Sequence, residues 1–251
     1  MTVFTCADDF SSMMTCIYDA WGSGLGHRNI RLMTEPLYET ELFCSYRHVE
    51  ADEEKTGKVI RSIQCKISYE VFKMVFRASL SFKEDKLDCI YRFLLLAFHH
   101  GPSVTGRLQE PAVAGLFEIE RKVLNEAHLF REFIRFSSVQ NGTLVSHIEP
   151  KCNVLPLLAE NFSDRMPSEN WMIIDDTRKS AVIHPADSSY YMTLLTPEEF
   201  LTLRRTEIRD EYSALWTSFF RAVSIAPREN RRCQRNMMPL WYRKHMTEFM
   251  T

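Results

Sequence analysis

Apolar positions recur with two different periods along this chain, and the changes of period mark its elements. Thr2–Cys6 has the residues of a short strand. Phe10, Met13, Met14, Ile17 and Trp21 then fall on one helical face, with Asp8 or Asp9 placed to cap it. Residues 42–49 are strand-like. The acids Glu50, Asp52, Glu53 and Glu54 after them suit a helix start, which Val59, Ile60, Ile63 and Ile67 continue. Val71, Met74, Val75 and Ala78 predict another helix. Residues 87–98 predict a more buried one, stopped by His99-His100-Gly101-Pro102. The longest helical stripe begins after Pro111 and runs through Leu116, Ile119, Val123, Ala127 and Phe130. Glu120, Leu124 and His128 form a neighbouring row at i, i+4 spacing.

Beyond residue 132 the period shortens. Residues 133–139 and 143–149 predict two strands about an Asn141-Gly142 turn signal. Leu144, Ser146 and Ile148 share one face, Val145 and His147 the other. Residues 153–162 predict a short helix that tolerates Pro156 only near its start. Strands come next at 171–175, 180–184 and 189–195. Thr196, Pro197 and Glu199 then supply the cap, first-turn proline and reciprocal acid of a helix start. Ile208, Tyr212, Leu215, Trp216, Phe219 and Val223 trace a last aromatic helix. The predicted class is α+β: a helical N-terminal part, a central antiparallel sheet, and C-terminal helices packed on the same core. The aromatic stripe is expected to pack there because leaving it wet costs free energy. One domain is expected over 1–251, with 196–251 as a candidate helical subdomain.

With 251 residues the chain can bury a substantial core. Its charge is uneven. Residues 201–251 carry ten basic and five acidic side chains, a formal +5, and residues 1–200 carry 21 and 28, a formal −7. Seven cysteines, an odd number with no CxxC or CxxH spacing, argue against a disulfide framework, a zinc ribbon or an iron–sulfur site. The longest apolar run, residues 93–98, is too short to cross a bilayer, and no secretory leader pattern opens the chain. The cytoplasm is the expected compartment, with no membrane partner.

Few residues point to a reaction. Gly22, Gly24 and Gly26 come after a helix instead of a strand, which is the wrong context for a phosphate loop. The histidines show neither HxxxH nor HExxH spacing, so no metal site and no cofactor are expected. His128, with Glu120 on its helix and Arg131 nearby, is either a core-edge histidine bonded to a backbone carbonyl or a polar centre that binds phosphate or moves a proton. Asp164 and Asp175, with Asp176 and Arg178, sit where strand-edge carboxylates bind magnesium, activate water or merely shape turns. The strongest local signal is the tail. Residues 221–245 hold seven basic side chains against Glu229 alone, a formal +6. Arg228, Arg231, Arg232, Arg235, Arg243 and Lys244, with the rings of Trp241 and Tyr242, form the candidate nucleic-acid surface. Guanidinium groups pair with phosphate, and aromatic faces stack on unpaired bases.

The same tail carries a resemblance. Tyr212-x-x-Leu215-Trp216-x-x-Phe219-Phe220, then Ile225-Ala226, Arg228, Asn230, Gln234, Met238-Pro239, Tyr242 and Glu248-Phe249, resemble the C-terminal signature of an uncharacterised bacterial family labelled "probable DNA metabolism protein". Arg121-Lys122-Val123, Glu126-Ala127-His128, Ile148-Glu149-Pro150, Leu155-Pro156-Leu157-Leu158, Asp164-Arg165 and Trp171 resemble its central segments. The chain departs from the family pattern at Arg231, where proline often stands, and at Leu240-Trp241-Tyr242. The resemblance implies genomic company with a radical-SAM protein of DNA modification or repair, and in some members fusion to a uracil-DNA-glycosylase-like domain. This chain lacks the radical-SAM CxxxCxxC motif and ends soon after the signature, so neither activity is carried over. The function implied is that of a DNA-binding accessory factor for single-stranded or distorted DNA. Its partners would be the radical-SAM enzyme and possibly a separate uracil-DNA-glycosylase-like protein. The alternatives are a DNA- or nucleotide-processing enzyme near His128 and a protein-only scaffold.

Overall fold

The computed structural model describes residues 1–37, 42–139, 142–205 and 211–249. The chain divides into two compact units, Met1–Asn125 and Glu126–Thr251. In the first, β1 (Thr2–Cys6) is the middle of a three-stranded sheet, flanked by β2 (Ile30–Thr34) and β3 (Ser45–His48), both parallel to it. Between β1 and β2 runs α1 (Phe10–Gly22), whose cap Asp9 accepts from the Ser12 amide at 2.9 Å. The helices α2 (Glu53–Lys66), α3 (Tyr69–Ser79) and α4 (Lys86–His100) come next, with Asp52 and Ser68 capping the first two. The core joins Phe4 and Leu32 of the sheet to Met13, Met14, Ile63, Val75, Phe93 and Leu94 of the helices.

The helical stripes of this unit are where the periodicity puts them, and β1 and β3 fall in the segments expected as strands; unexpected are β2 and the joining of the three into one parallel sheet. β2 is absent from the sequence-based reading, and the N-terminal part is not simply helical. Only Ile30 and Leu32 of β2 are buried, so two inward side chains are all the pattern offers. Strand direction is set by the crossover through α1, which periodicity does not report.

The helix α5 (Pro111–Phe133) contains the boundary between the units. In the second unit, β4 (Ser137–Ser138), β5 (Leu144–Ile148), β6 (Trp171–Asp175), β7 (Ser180–His184) and β8 (Tyr191–Leu194) lie in sequence order across one sheet. The expected hairpin is present in short form. β4 pairs antiparallel to β5 over two residues only: α5 takes Phe133, and residues 134–136 of the predicted strand are irregular. Asn141 lies outside the described residues, and Gly142 supplies the positive φ of 82° that the turn needs. Between β5 and β6 the chain crosses over through α6 (Leu155–Arg165), so these two strands are parallel, whereas β6–β7 and β7–β8 are antiparallel. The fold class is α+β, with one parallel pair inside the mainly antiparallel second sheet.

After β8 the chain forms α7 (Pro197–Arg205), α8 (Glu211–Ala222) and α9 (Arg231–Met237). The predicted capping box opens α7: Glu199 accepts from the Thr196 amide at 2.8 Å, and Thr196 Oγ1 accepts from the Glu199 amide at 3.2 Å. Phe200 of α7 packs with Ile174 and Ala181 of the sheet. The aromatic stripe of α8 is covered only in part. Phe220 meets the Phe249 ring at 5.6 Å, while Tyr212, Leu215, Phe219 and Val223 are more than half exposed. An open groove of ≈ 420 Å³ runs beside Arg135, Tyr212, Trp216 and Phe219.

Glu126, on α5, joins the helix to the loop that leaves β5. Its two carboxylate oxygens accept from the Lys151 and Cys152 amides, both at 2.8 Å. Glu126→Ala strips two backbone donors of a charged acceptor and should cost about 1.5–3 kcal/mol, read from urea unfolding. A loss below about 0.5 kcal/mol would mean that water replaces the carboxylate.

Candidate functional site

Parallel strands that end side by side bring the residues after them together. Ile148 pairs with Asp175 in the β5–β6 register, and the Asp176 amide donates to the Ile148 carbonyl at 2.9 Å. Glu149 and Asp176 therefore leave the sheet at neighbouring carboxyl ends. His147 precedes Glu149 by two residues, the spacing that shares a strand face. Its Nδ1 lies 2.7 Å from Asp176 Oδ1.

The 3-10 turn Leu240–His245 closes this edge from the far end of the sequence. Trp241 Nε1 donates to the Glu149 carbonyl at 2.8 Å. Lys244 Nζ binds both carboxylate oxygens of Glu149. His245 Nε2 lies 3.3 Å from Glu149 Oε1, and its ring stacks on that of His147 with centroids 6.4 Å apart. One ligand atom each from Glu149, Asp176 and His245 falls within 4.8 Å of the others.

The charges are balanced within the cluster. Burial pushes the Glu149 carboxyl up, but the Lys244 hydrogen bond and charge, together with His245, outweigh it and hold the group below the usual carboxylate range. Burial lowers the His245 pKa and prevails over the pull of Glu149 and Asp176. Two carboxylates, two imidazoles and one ammonium at a strand edge form a site suited to holding a proton or a cation.

The candidate residues of the sequence are distributed differently. Asp175 is fully buried and shapes the β6–β7 turn: it accepts from the Thr177 amide at 2.8 Å and from Arg178 Nη1 at 3.0 Å. Burial raises its pKa despite Arg178 and the turn amides. Its neighbour Asp176 is the one that reaches the cluster, since consecutive residues of extended chain point to opposite sides. Asp164 is exposed near the end of α6 and makes no bond to the cluster. Glu120 pairs with Arg77 at 3.0 Å, and Arg131 donates to the Leu157 carbonyl at 3.3 Å. The His128 side chain is 66% exposed and meets Glu132, one turn on along its own helix, at 3.2 Å. Neither Glu120 nor Arg131 is its partner there: they bond to Arg77 and to the Leu157 carbonyl instead.

In the tail, Tyr242 lies half-buried against the rings of Phe130 and Phe133, at 4.9 and 5.6 Å, and burial pushes its hydroxyl up to about 12. Arg243 donates twice to the Met238 carbonyl and covers the Phe249 ring at 4.8 Å. Tyr242 and Arg243 thus serve the fold itself, and Lys244 sits on Glu149. Arg228, Arg231, Arg232 and Arg235 are exposed. Arg231 pairs with Glu229 at 3.1 Å, and among the described residues the other three meet no carboxylate within ion-pair distance.

The sequence does not expose the cluster, because the expectation of no metal-ligand set rests on short spacings. His147 and His245 stand far apart in the chain and are joined only by the fold. The usable signal is His147-x-Glu149 at the end of a strand facing the Asp175-Asp176 pair at the end of the next.

An α+β chain with a histidine–carboxylate cluster at the ends of parallel strands and an open arginine patch defines a class only loosely. Residues 84–248 match the family described as Domain of unknown function (DUF4130), and the chain belongs to that family. No curated protein matches it.

Proposed function

We propose that this chain is a DNA-binding accessory factor of DNA repair or modification, acting beside a radical-SAM enzyme. The observation that carries the DNA part is the set Arg228, Arg231, Arg232 and Arg235, exposed and with Glu229 as the one acid paired to it among the described residues. Arg231 and Arg232 each neighbour Arg235 on one short helix, α9, at i+4 and i+3 spacing. The half-exposed rings of Tyr212, Phe219 and Trp241 offer apolar faces for unpaired bases, which favours single-stranded or distorted DNA. Trp241 keeps a place in this surface, whereas Tyr242, Arg243 and Lys244 do not. The radical-SAM partner rests on the family resemblance alone.

The test is fluorescence anisotropy with labelled single- and double-stranded DNA at several salt concentrations. The wild type is compared with a variant carrying alanine at positions 228, 231, 232 and 235, checked for folding by circular dichroism. Removing four phosphate contacts on a single strand should lower the log–log salt slope by about 3. Equal affinity and equal slope for the two proteins would remove this surface from DNA binding. Co-purification with the radical-SAM protein from nuclease-treated extract checks the partner separately, and its disappearance on nuclease treatment would leave only a shared DNA tether.

A further inference from the structure

The cluster at the ends of β5 and β6 carries chemistry that DNA binding through arginines does not use. We propose that Glu149, Asp176 and His245 bind a divalent transition-metal ion, with His147 orienting Asp176 and Lys244 as the cation the metal displaces.

The donor set decides the class of ion. Two carboxylates and an imidazole nitrogen suit Mn²⁺, Fe²⁺ or Zn²⁺, whereas Mg²⁺ and Ca²⁺ prefer an all-oxygen shell. Three donor atoms already lie within 4.8 Å of one another. Donors around an ion at about 2.1 Å are separated by about 3–4 Å, so a small inward movement completes the geometry. His147 Nδ1, 2.7 Å from Asp176 Oδ1, fixes that carboxylate as outer-shell partners of metal ligands do.

Lys244 shows that Glu149 attracts a cation. Its ammonium sits on both oxygens of Glu149, where the positive charge of an ion would lie. More than half of its side chain is exposed, so it can swing into solvent without breaking the core. Three protein donors leave coordination positions free for water or a phosphate oxygen.

The experiment is a Mn²⁺ titration read by electron paramagnetic resonance on the full chain. Mn²⁺ avoids the exposed thiols of Cys65 and Cys233, which would capture Zn²⁺. The wild type should bind one Mn²⁺ per chain, at least tenfold more tightly than Mg²⁺ in competition. Lys244→Met removes the competing cation and no ligand, so it should bind Mn²⁺ at least tenfold more tightly. Asp176→Asn and His245→Gln should each lose at least tenfold. Lys244→Met is the decisive variant because it keeps every ligand even if the others fold poorly. Absence of bound Mn²⁺ at millimolar concentration, or equal or weaker binding by Lys244→Met, overturns the proposal and leaves the cluster as a staple for the tail. Neither result depends on DNA, so this inference and the DNA reading fail separately.

Discussion

Arg135→Ala should destabilise the second unit by about 3–5 kcal/mol at neutral pH, more than Glu248→Gln at the other end of the same bond. Arg135 donates to both carboxylate oxygens of Glu248, at 2.7 and 3.3 Å, and Glu248 is only 1% exposed at its side chain. Removing the arginine strands a carboxylate inside. Removing the acid leaves a guanidinium that reaches water more easily. Arg135 also stacks over the Trp216 ring at 5.5 Å, and alanine leaves that ring face uncovered.

The pH dependence has a definite sign. Burial pushes the Glu248 carboxyl up, but the Arg135 hydrogen bonds and charge prevail and hold it below the usual range. In the wild type this stabilisation is present above the unfolded carboxyl value of about 4.3 and is lost as pH falls through the lower folded one. In Arg135→Ala burial acts unopposed by the arginine and the folded pKa rises. The deficit should therefore be largest near pH 7 and shrink as Glu248 takes up a proton. Urea titrations at pH 7 and pH 4 check this, and a deficit that is constant or grows on acidification would contradict the assignment.

Trp171→Ala should cost a similar amount, about 3–5 kcal/mol, for a different reason. Trp171 is completely buried, stacks on His184 at 4.9 Å with the rings 2° from parallel, and meets Phe162 edge-on at 6.2 Å. Its Nε1 donates to the Met166 carbonyl at 3.2 Å. Alanine leaves a cavity and an unpaired carbonyl, whereas phenylalanine restores most of the volume. Trp171→Phe should accordingly recover more than half of the loss. Far-ultraviolet circular dichroism in urea reads both, and equal losses for the two variants would show that the indole N–H outweighs packing.

Helix faces are local, and the sequence carries them openly. Phe10 to Trp21, residues 87–98 and the stripe from Leu116 to Phe130 are legible because each spans several turns with caps or breakers at hand. β6 and β7 are legible by their composition and turns. Strand neighbours are not local. The parallel pairing of β1 with β2, and of β5 with β6, depends on crossovers through α1 and α6. The candidate site inherits that opacity, because its members are defined by strand ends that touch only after folding. Asp175 and Asp176 both stand among the strand-edge carboxylates of the sequence, and only Asp176 is in the cluster, a difference of one strand face. The tail shows the reverse error. Its charge is legible, but the partners that Tyr242, Arg243 and Lys244 find at Phe130, Met238 and Glu149 are not.

The two outer strands of the second sheet have a consequence for crowding. β4 offers two residues and β8 four, and Tyr191, Met192 and Leu194 of β8 are more than half exposed. A strand added by another copy would gain few backbone bonds at either flank, so this sheet is poorly built to seed a growing ladder. Self-association of the second unit at high concentration would instead run through side-chain surfaces such as the uncovered face of α8. That kind of clumping disperses in mild detergent, unlike a hydrogen-bonded fibril.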